Sequence, residues 1–143
     1  MPAAEGISRN ERMWASLAHL CGGLWVLGIP FGGLIASGVV YVTKRHVSPY
    51  VAHHSREAQN FQITVTIAVV ALVVLTALVA GRSAAGGDGE TALEAIVAGA
   101  TLLAIVMILN VALSVTAALA ADRSEAYRYP VSLRFIREVS PVS

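Results

Sequence analysis

The sequence predicts an all-α fold, an integral membrane four-helix bundle, and three charge-free stretches carry that prediction. Residues 13–43, 61–80 and 95–121 contain no Asp, Glu, Lys or Arg. A bilayer core of about 30 Å needs about 20 apolar residues per helix. Composition agrees, because the 143 residues are 56% hydrophobic and 13% charged, whereas soluble domains carry about 25% charged residues. Most soluble enzyme classes are therefore excluded.

The first charge-free stretch predicts a helical hairpin over residues 9–45. As one straight helix, residues 13–43 would be about 46 Å long, which is more than one crossing requires. Gly28 and Pro30 supply the break, since proline removes a backbone donor and begins helices well. Two long transmembrane helices are expected to follow the hairpin.

Capping signals set the expected helix boundaries. Ser8 lies three residues before Glu11, which is the spacing of a capping box, and residues 91–94 repeat that pattern. Ser48 followed by Pro49 is typical of a helix start. The predicted helices cover residues 9–27, 30–45, 49–80 and 91–121.

The distribution of basic residues predicts the orientation in the membrane. If residues 9–45 form a hairpin, nine of the ten Lys and Arg residues share one face, and Arg82 lies on the other. Positive residues concentrate on the cytoplasmic side, so both termini are expected in the cytoplasm of a multi-pass bacterial inner-membrane protein. Charge leaves open whether the hairpin spans the bilayer or re-enters from the same face. The aromatic residues favour spanning, because Trp14 and Tyr41 would lie at the cytoplasmic interface and Trp25 and Phe31 at the opposite one. Nucleic acid is not an expected partner, because the basic residues are scattered.

One membrane domain is expected over residues 9–137, with flexible termini at residues 1–8 and 138–143. After the last helix, a short cytoplasmic amphipathic segment alternates aromatic residues with arginines. Such a segment is expected along the interface, with its arginines near anionic headgroups of the lipid bilayer.

We expect that segment to dock on the polar first turns of the third helix. Glu57 and Asn60 would emerge on the same face of the membrane as the segment. They are the expected partners of Arg128 or of the Tyr129 hydroxyl.

A few polar residues lie within the apolar helices. Asn110 and Ser114 are one turn apart in the fourth helix, and an amide facing hydrocarbon is costly, so both should face the bundle. A hydrogen bond from Asn110 to Thr64, Thr66 or a backbone carbonyl is favoured over a transport role. His19 is expected to donate to a carbonyl of a neighbouring helix.

The densest polar segment covers residues 53–62. His53, His54 and Glu57 lie within two turns, but a metal site needs a third or fourth ligand, and the H-E-x-x-H pattern is absent. No catalytic residue, metal or cofactor is predicted. The candidate structural or functional polar residues are His19, His54, Glu57, Asn60, Asn110, Ser114, Arg128 and Tyr129.

Ordered sequence blocks resemble a bacterial family of small membrane proteins. The blocks are residues 11–15, 17–20, 29–32, 48–51 with His54, 57–62, 127–130 and 134–136. They resemble the domain-of-unknown-function family numbered 4870, which is similar to the Tic-twenty component of the plastid inner-envelope import machinery. The resemblance spans residues 11–136. It implies a four-helix membrane domain without an established biochemical activity.

The expected function is that of a non-enzymatic scaffold or accessory subunit, acting through helix–helix and cytoplasmic-face contacts. Its partner would be another membrane protein or a second copy of the chain. The alternative is a conduit or protein-translocation component, which the plastid resemblance implies. Its interior would be lined by His19, Thr64, Thr66, Asn110 and Ser114. An enzyme or metal protein built on His53, His54 and Glu57 ranks last.

Overall fold

In the computed structural model, the described residues are 6–25, 27–29 and 31–137, and they form four α-helices and a short 3-10 helix. The helices are α1 (Arg9–Leu20), α2 (Gly32–Lys44), α3 (Pro49–Ala85) and α4 (Gly89–Asp122), and the 3-10 helix is Cys21–Trp25. The all-helical prediction with two long apolar helices is confirmed. The expected flexible segment 138–143, most of segment 1–8 and the predicted helix start at Pro30 lie outside the described residues.

The long helices α3 and α4 pack against each other and are long and apolar enough to cross a membrane. Only 17% of the most apolar stretch of α3, and 11% of that of α4, is buried inside the structure. The core helix of a soluble protein would be mostly buried, whereas these helices expose their Val, Ile and Leu side chains. This exterior suits lipid and not water.

The α1–α2 hairpin packs along only part of the long helices. Near its turn, Gly22 lies beside Gln62 of α3, and Trp25 packs against the cluster that contains Val65 and Val69. From Val69, α3 continues for about 24 Å to Ala85. The hairpin therefore turns near the middle of the long helices.

Two of the predicted helix starts are confirmed. The Ser8 side chain accepts from the Glu11 N–H, and the Glu11 carboxylate accepts from the Ser8 N–H, which completes the capping box of α1. The Ser48 side chain accepts from the Val51 N–H, with Pro49 in the first turn of α3.

Two predicted helix ends and one predicted helix start are wrong, and the two ends are those of α1 and α3. The α-helical part of the first helix ends at Leu20, because Gly22 and Gly23 have low helix propensity and the chain tightens into the 3-10 helix. Helix α3 continues to Ala85 rather than stopping at residue 80.

Helix α4 begins at Gly89 and not at residue 91, because the Asp88 carboxylate accepts from the Thr91 N–H. That hydrogen bond, together with one from the Thr91 side chain, holds the pKa of Asp88 below its usual value. The expected loop over residues 82–90 thereby shortens to a tight turn, in which Gly87 has φ +81° and the Asp88 N–H donates to the Ser83 carbonyl.

The segment after α4 has no regular secondary structure up to residue 137. We call residues 123–137 the C-terminal strap. It runs beside α3, where Tyr129 stacks on Phe61 with the ring centroids 3.9 Å apart and the planes 6° apart. The strap, α1 and the first turns of α3 thus meet at one end of the molecule.

Candidate functional site

A buried chain of three polar side chains joins α1, α3 and the strap. The Nδ1 atom of His19 lies 2.9 Å from the Tyr129 hydroxyl, and its Nε2 atom lies 2.9 Å from Nδ1 of His54. Both histidines are 0% exposed and Tyr129 is 2% exposed. Three elements that are distant in sequence are therefore held together at one point.

The two contacts of His19 are coupled through the hydrogen on its ring. Burial raises the pKa of the Tyr129 phenol, so the hydroxyl keeps its proton at neutral pH and can donate or accept in its contact with His19 Nδ1. One nitrogen of a neutral His19 ring carries the hydrogen and the other accepts, so the hydrogen bonds with Tyr129 and His54 run in the same direction along the three side chains. The sequence predicted a backbone carbonyl as the partner of His19, and that partner is wrong.

A second polar chain lies closer to the turn of the α1–α2 hairpin. Nε2 of Gln62 donates to Oδ1 of Asn110 at 3.0 Å, and Nδ2 of Asn110 donates to the Gly22 carbonyl at 3.0 Å. Asn110 is 1% exposed and Ser114 is 2% exposed. Both therefore face the bundle, and a backbone carbonyl is one partner of Asn110. Thr64 and Thr66 are not.

The second set of polar contacts forms because the backbone of the α1–α2 hairpin closely approaches the long helices. A Cβ atom placed on Gly22 would lie 2.5 Å from Nε2 of Gln62 and 2.5 Å from Oγ of Ser114. On Gly33 of α2, it would lie 2.6 Å from Oε1 of Gln62. The hairpin therefore contacts the amides of the long helices through its backbone, and larger residues would separate them.

Polar contacts tie the strap to α3. Asn60 donates to the Ile136 carbonyl at 2.9 Å and accepts from the Ile136 N–H at 2.8 Å. The Leu133 N–H donates to Oγ1 of Thr64 at 2.9 Å, and Nε2 of His53 lies 3.2 Å from the Tyr127 carbonyl. Docking of the strap on α3 is thus seen.

The side-chain partners in that docking differ from the expected ones. Glu57 pairs with Arg134, with 3.5 Å between the nitrogen and the oxygen, and not with Arg128. Asn60 binds backbone groups, and the Tyr129 hydroxyl contacts His19. The reason is that the strap turns back on itself, which brings residues 133–136 onto the same face of α3.

Glu57 also belongs to a cleft between α3 and the strap. Its volume is about 280 Å³. Four arginines dominate its lining, which consists of His53, Arg56, Glu57, Asn60, Arg128, Arg134, Ile136 and Arg137. We call this the arginine cleft. Among the described residues, no group of three or more His, Cys, Asp and Glu side chains is arranged to hold a metal ion.

Sequence reasoning did not include Gln62 and Arg134 among the candidate residues. The sequence does contain a signal for Gln62. If α3 and α4 are antiparallel and their turn is centred on Gly87, Gln62 lies opposite Ala112 and close to Asn110. No comparable signal existed for Arg134, since an irregular strap has no period that would show which arginine faces the helix.

The comparisons with known proteins decide the family. A family model described as the magnetosome magnetite crystal formation protein family matches residues 10–136. The chain belongs to this family. The same comparisons found no matching curated protein and no matching solved structure.

Membership of the magnetosome family corrects one expectation. The resemblance to the domain-of-unknown-function family 4870 and its Tic-twenty-like proteins is wrong, because the matching family is a different one over nearly the same residues. The translocation function that rested on this resemblance has no support from the match. The match and the two exposed apolar helices together identify a membrane protein.

Proposed function

We propose that this chain is a non-enzymatic scaffold of the magnetosome membrane that takes part in the formation of magnetite crystals. The family match over residues 10–136 carries this proposal. The geometry supports it, because the buried His19, His54, Asn110 and Gln62 side chains contact one another or the backbone across elements. Such contacts stabilise an assembly of helices.

We further propose an arrangement in the membrane. Helices α3 and α4 cross the bilayer, while the α1–α2 hairpin enters from one face and turns inside it, as its packing beside Gln62 and Val69 suggests. Nine of the ten basic residues lie at the end that holds the strap, and Arg82 lies at the other. By the bias of Lys and Arg, the strap end and both termini face the cytoplasm.

The partner of the scaffold would be a second membrane helix, from another protein or from a second copy of the chain. Beyond the hairpin turn, α3 and α4 form a two-helix unit whose outer faces are unpaired within the described chain. At the contact between these helices, Gly99 of α4 packs directly against Thr76 of α3, so small residues already hold them close.

The test is complementation in magnetosome-forming cells that lack the gene. Loss of the gene should shift the distribution of crystal lengths in electron micrographs, and the wild-type chain should restore it. A chain that ends at Arg123 should still insert into the membrane, because α3 and α4 remain, but should not restore the crystals.

Two outcomes would contradict the proposal. Unchanged crystals in the absence of the gene would remove the role in crystal formation. A His54→Gln chain that inserts, keeps its melting temperature and still abolishes crystal formation would favour a chemical role for the buried histidines over a scaffold.

A further inference from the structure

Among the described residues that line the arginine cleft, arginines outnumber carboxylates. Of these residues, Arg128, Arg134 and Arg137 of the strap carry three positive charges, and Glu57 carries one negative charge. Glu57 pairs with Arg134 only through Oε1. Arg128 and Arg137 are exposed, and their two positive charges remain beside the pair of Glu57 and Arg134, which favours an anion.

The second carboxylate oxygen of Glu57 points to a further feature of the anion. The Glu57 side chain is 5% exposed, and its Oε2 atom has no hydrogen-bond partner among the described residues. A buried carboxylate oxygen without a donor is costly. A ligand that carries a negative charge and, next to it, a hydroxyl or ammonium hydrogen would pair with the arginines and also donate to this oxygen.

The position of the cleft relates it to the bilayer surface. Glu57 is the last charged residue of α3 before the charge-free stretch that runs to Gly81. Beside the cleft, the strap exposes Val131, Leu133 and Phe135, which are 67%, 55% and 54% exposed. In the proposed membrane arrangement, on which this inference rests, charged groups thus lie next to exposed apolar side chains at the depth where headgroups meet acyl chains.

We propose that the arginine cleft binds the headgroup of an anionic phospholipid of the phosphatidylglycerol type. Its phosphate lies among the arginines, one of its glycerol hydroxyls donates to Oε2 of Glu57, and its acyl chains run along Val131, Leu133 and Phe135. Guanidinium groups suit phosphate, because they offer paired donors in a fixed plane. Inorganic phosphate has the same charge chemistry but gains nothing from the apolar side chains of the strap.

The test is titration of the full-length protein in a neutral detergent, with bound lipid counted by native mass spectrometry. The probes are short-chain phosphatidylglycerol, phosphatidylmethanol, phosphatidylcholine and inorganic phosphate. Phosphatidylglycerol should bind one molecule per chain, more tightly than phosphatidylmethanol, which has the same charge but no glycerol hydroxyl. Phosphatidylcholine should bind most weakly of the three lipids, and inorganic phosphate should not displace phosphatidylglycerol at equal concentration.

Two double variants that lose the same charge test whether the lipid binds in the arginine cleft. Arg128→Gln with Arg137→Gln removes two exposed arginines of the cleft and leaves the Asn60 contacts of the strap in place. Arg82→Gln with Arg123→Gln removes the same charge elsewhere. The cleft pair should weaken phosphatidylglycerol binding about tenfold or more, as expected for lost charge-assisted hydrogen bonds, and the control pair should bind like the wild type.

Three results would overturn the proposal. Equal weakening by both variant pairs would show general charge attraction. Equal binding of phosphatidylglycerol and phosphatidylmethanol would remove the role of Glu57. Displacement by inorganic phosphate at equal concentration would show an anion site without lipid selectivity.

Discussion

Single residues decide how closely the hairpin approaches the long helices, and Gly22 is the clearest case. Its carbonyl accepts from Asn110, and its Cα lies where any side chain would meet Gln62 and Ser114. The neighbouring Gly23 has open space around the position of a Cβ atom. Two adjacent glycines thus have different roles, one at a helix contact and one at the surface.

This difference gives a matched pair of substitutions. Gly22→Ala should lower the free energy of unfolding by about 1–3 kcal/mol, because the added methyl group must displace buried amide and hydroxyl groups. Gly23→Ala should change it by less than about 0.5 kcal/mol. Unfolding of the purified protein by a denaturing detergent measures both values. Equal effects of the two substitutions would show that the Gly22 contact is not formed.

For single residues, the sequence predicts whether a polar side chain faces the bundle better than it predicts which group that side chain contacts. Asn110 and Ser114 face the bundle as expected, because the cost of an amide in hydrocarbon depends only on the residue and its depth. The partner expected for His19 was wrong, because Tyr129 lies 110 residues away along the chain. The partner expected for Glu57 lay in the correct segment but was the wrong residue, because the strap is irregular and Arg134 faces the carboxylate instead of Arg128. Long-range contacts of an irregular segment leave no periodic signal in one sequence.

At the scale of elements, local capping chemistry explains which boundaries were predictable. Ser8 and Ser48 cap through neighbours within three residues, so the sequence alone was sufficient. At the start of α4, two acceptors compete, and Asp88 caps the helix ahead of Thr91. Beyond the end of α1, Gly22 packs against Gln62 of α3 and Ser114 of α4, a long-range contact that capping patterns do not show.

The depth of the α1–α2 hairpin is the main prediction for an element. With Cys21 replaced by Ser, a cysteine at Leu27 should carry a fluorophore that is quenched best by a quencher attached to the middle of a lipid acyl chain. The hairpin turns beside Val65 and Val69, roughly half-way along α3, so its tip should lie inside the bilayer. The matched control is Ala85→Cys, whose fluorophore should be quenched by aqueous iodide.

The alternative for this element is a hairpin that spans the bilayer. In that case, the fluorophore at Leu27 would be quenched by aqueous iodide to the same extent as the one at Ala85. Because Leu27 is 72% exposed in the structure, contact with other parts of the protein would not mask that result.

At the scale of the whole molecule, the chain has two unlike ends. One end gathers the start of α1, the strap and the arginine cleft, whereas the other consists of the short turn between α3 and α4. The sequence was sufficient for the four helices and their order, since charge-free length and the placement of Lys and Arg carry that information. It was not sufficient for the arginine cleft, which exists only because the strap folds back along α3.

The final prediction tests how these ends lie across the membrane. In a Cys21→Ser chain, single cysteines are placed at His46, between α2 and α3, at Ala126 in the strap and at Ala85 in the far turn. All three positions are exposed. Sealed membrane vesicles are treated with an impermeant maleimide before and after permeabilisation.

His46→Cys and Ala126→Cys should label in the same step and Ala85→Cys in the other, because each of α3 and α4 crosses the bilayer once. A chain in which all three sites label together would show that the long helices do not cross. A chain in which His46→Cys labels with Ala85→Cys would place the loop after the hairpin on the far side. That result would contradict the arrangement in which nine basic residues share one face, since Lys44 and Arg45 would then lie beside Arg82.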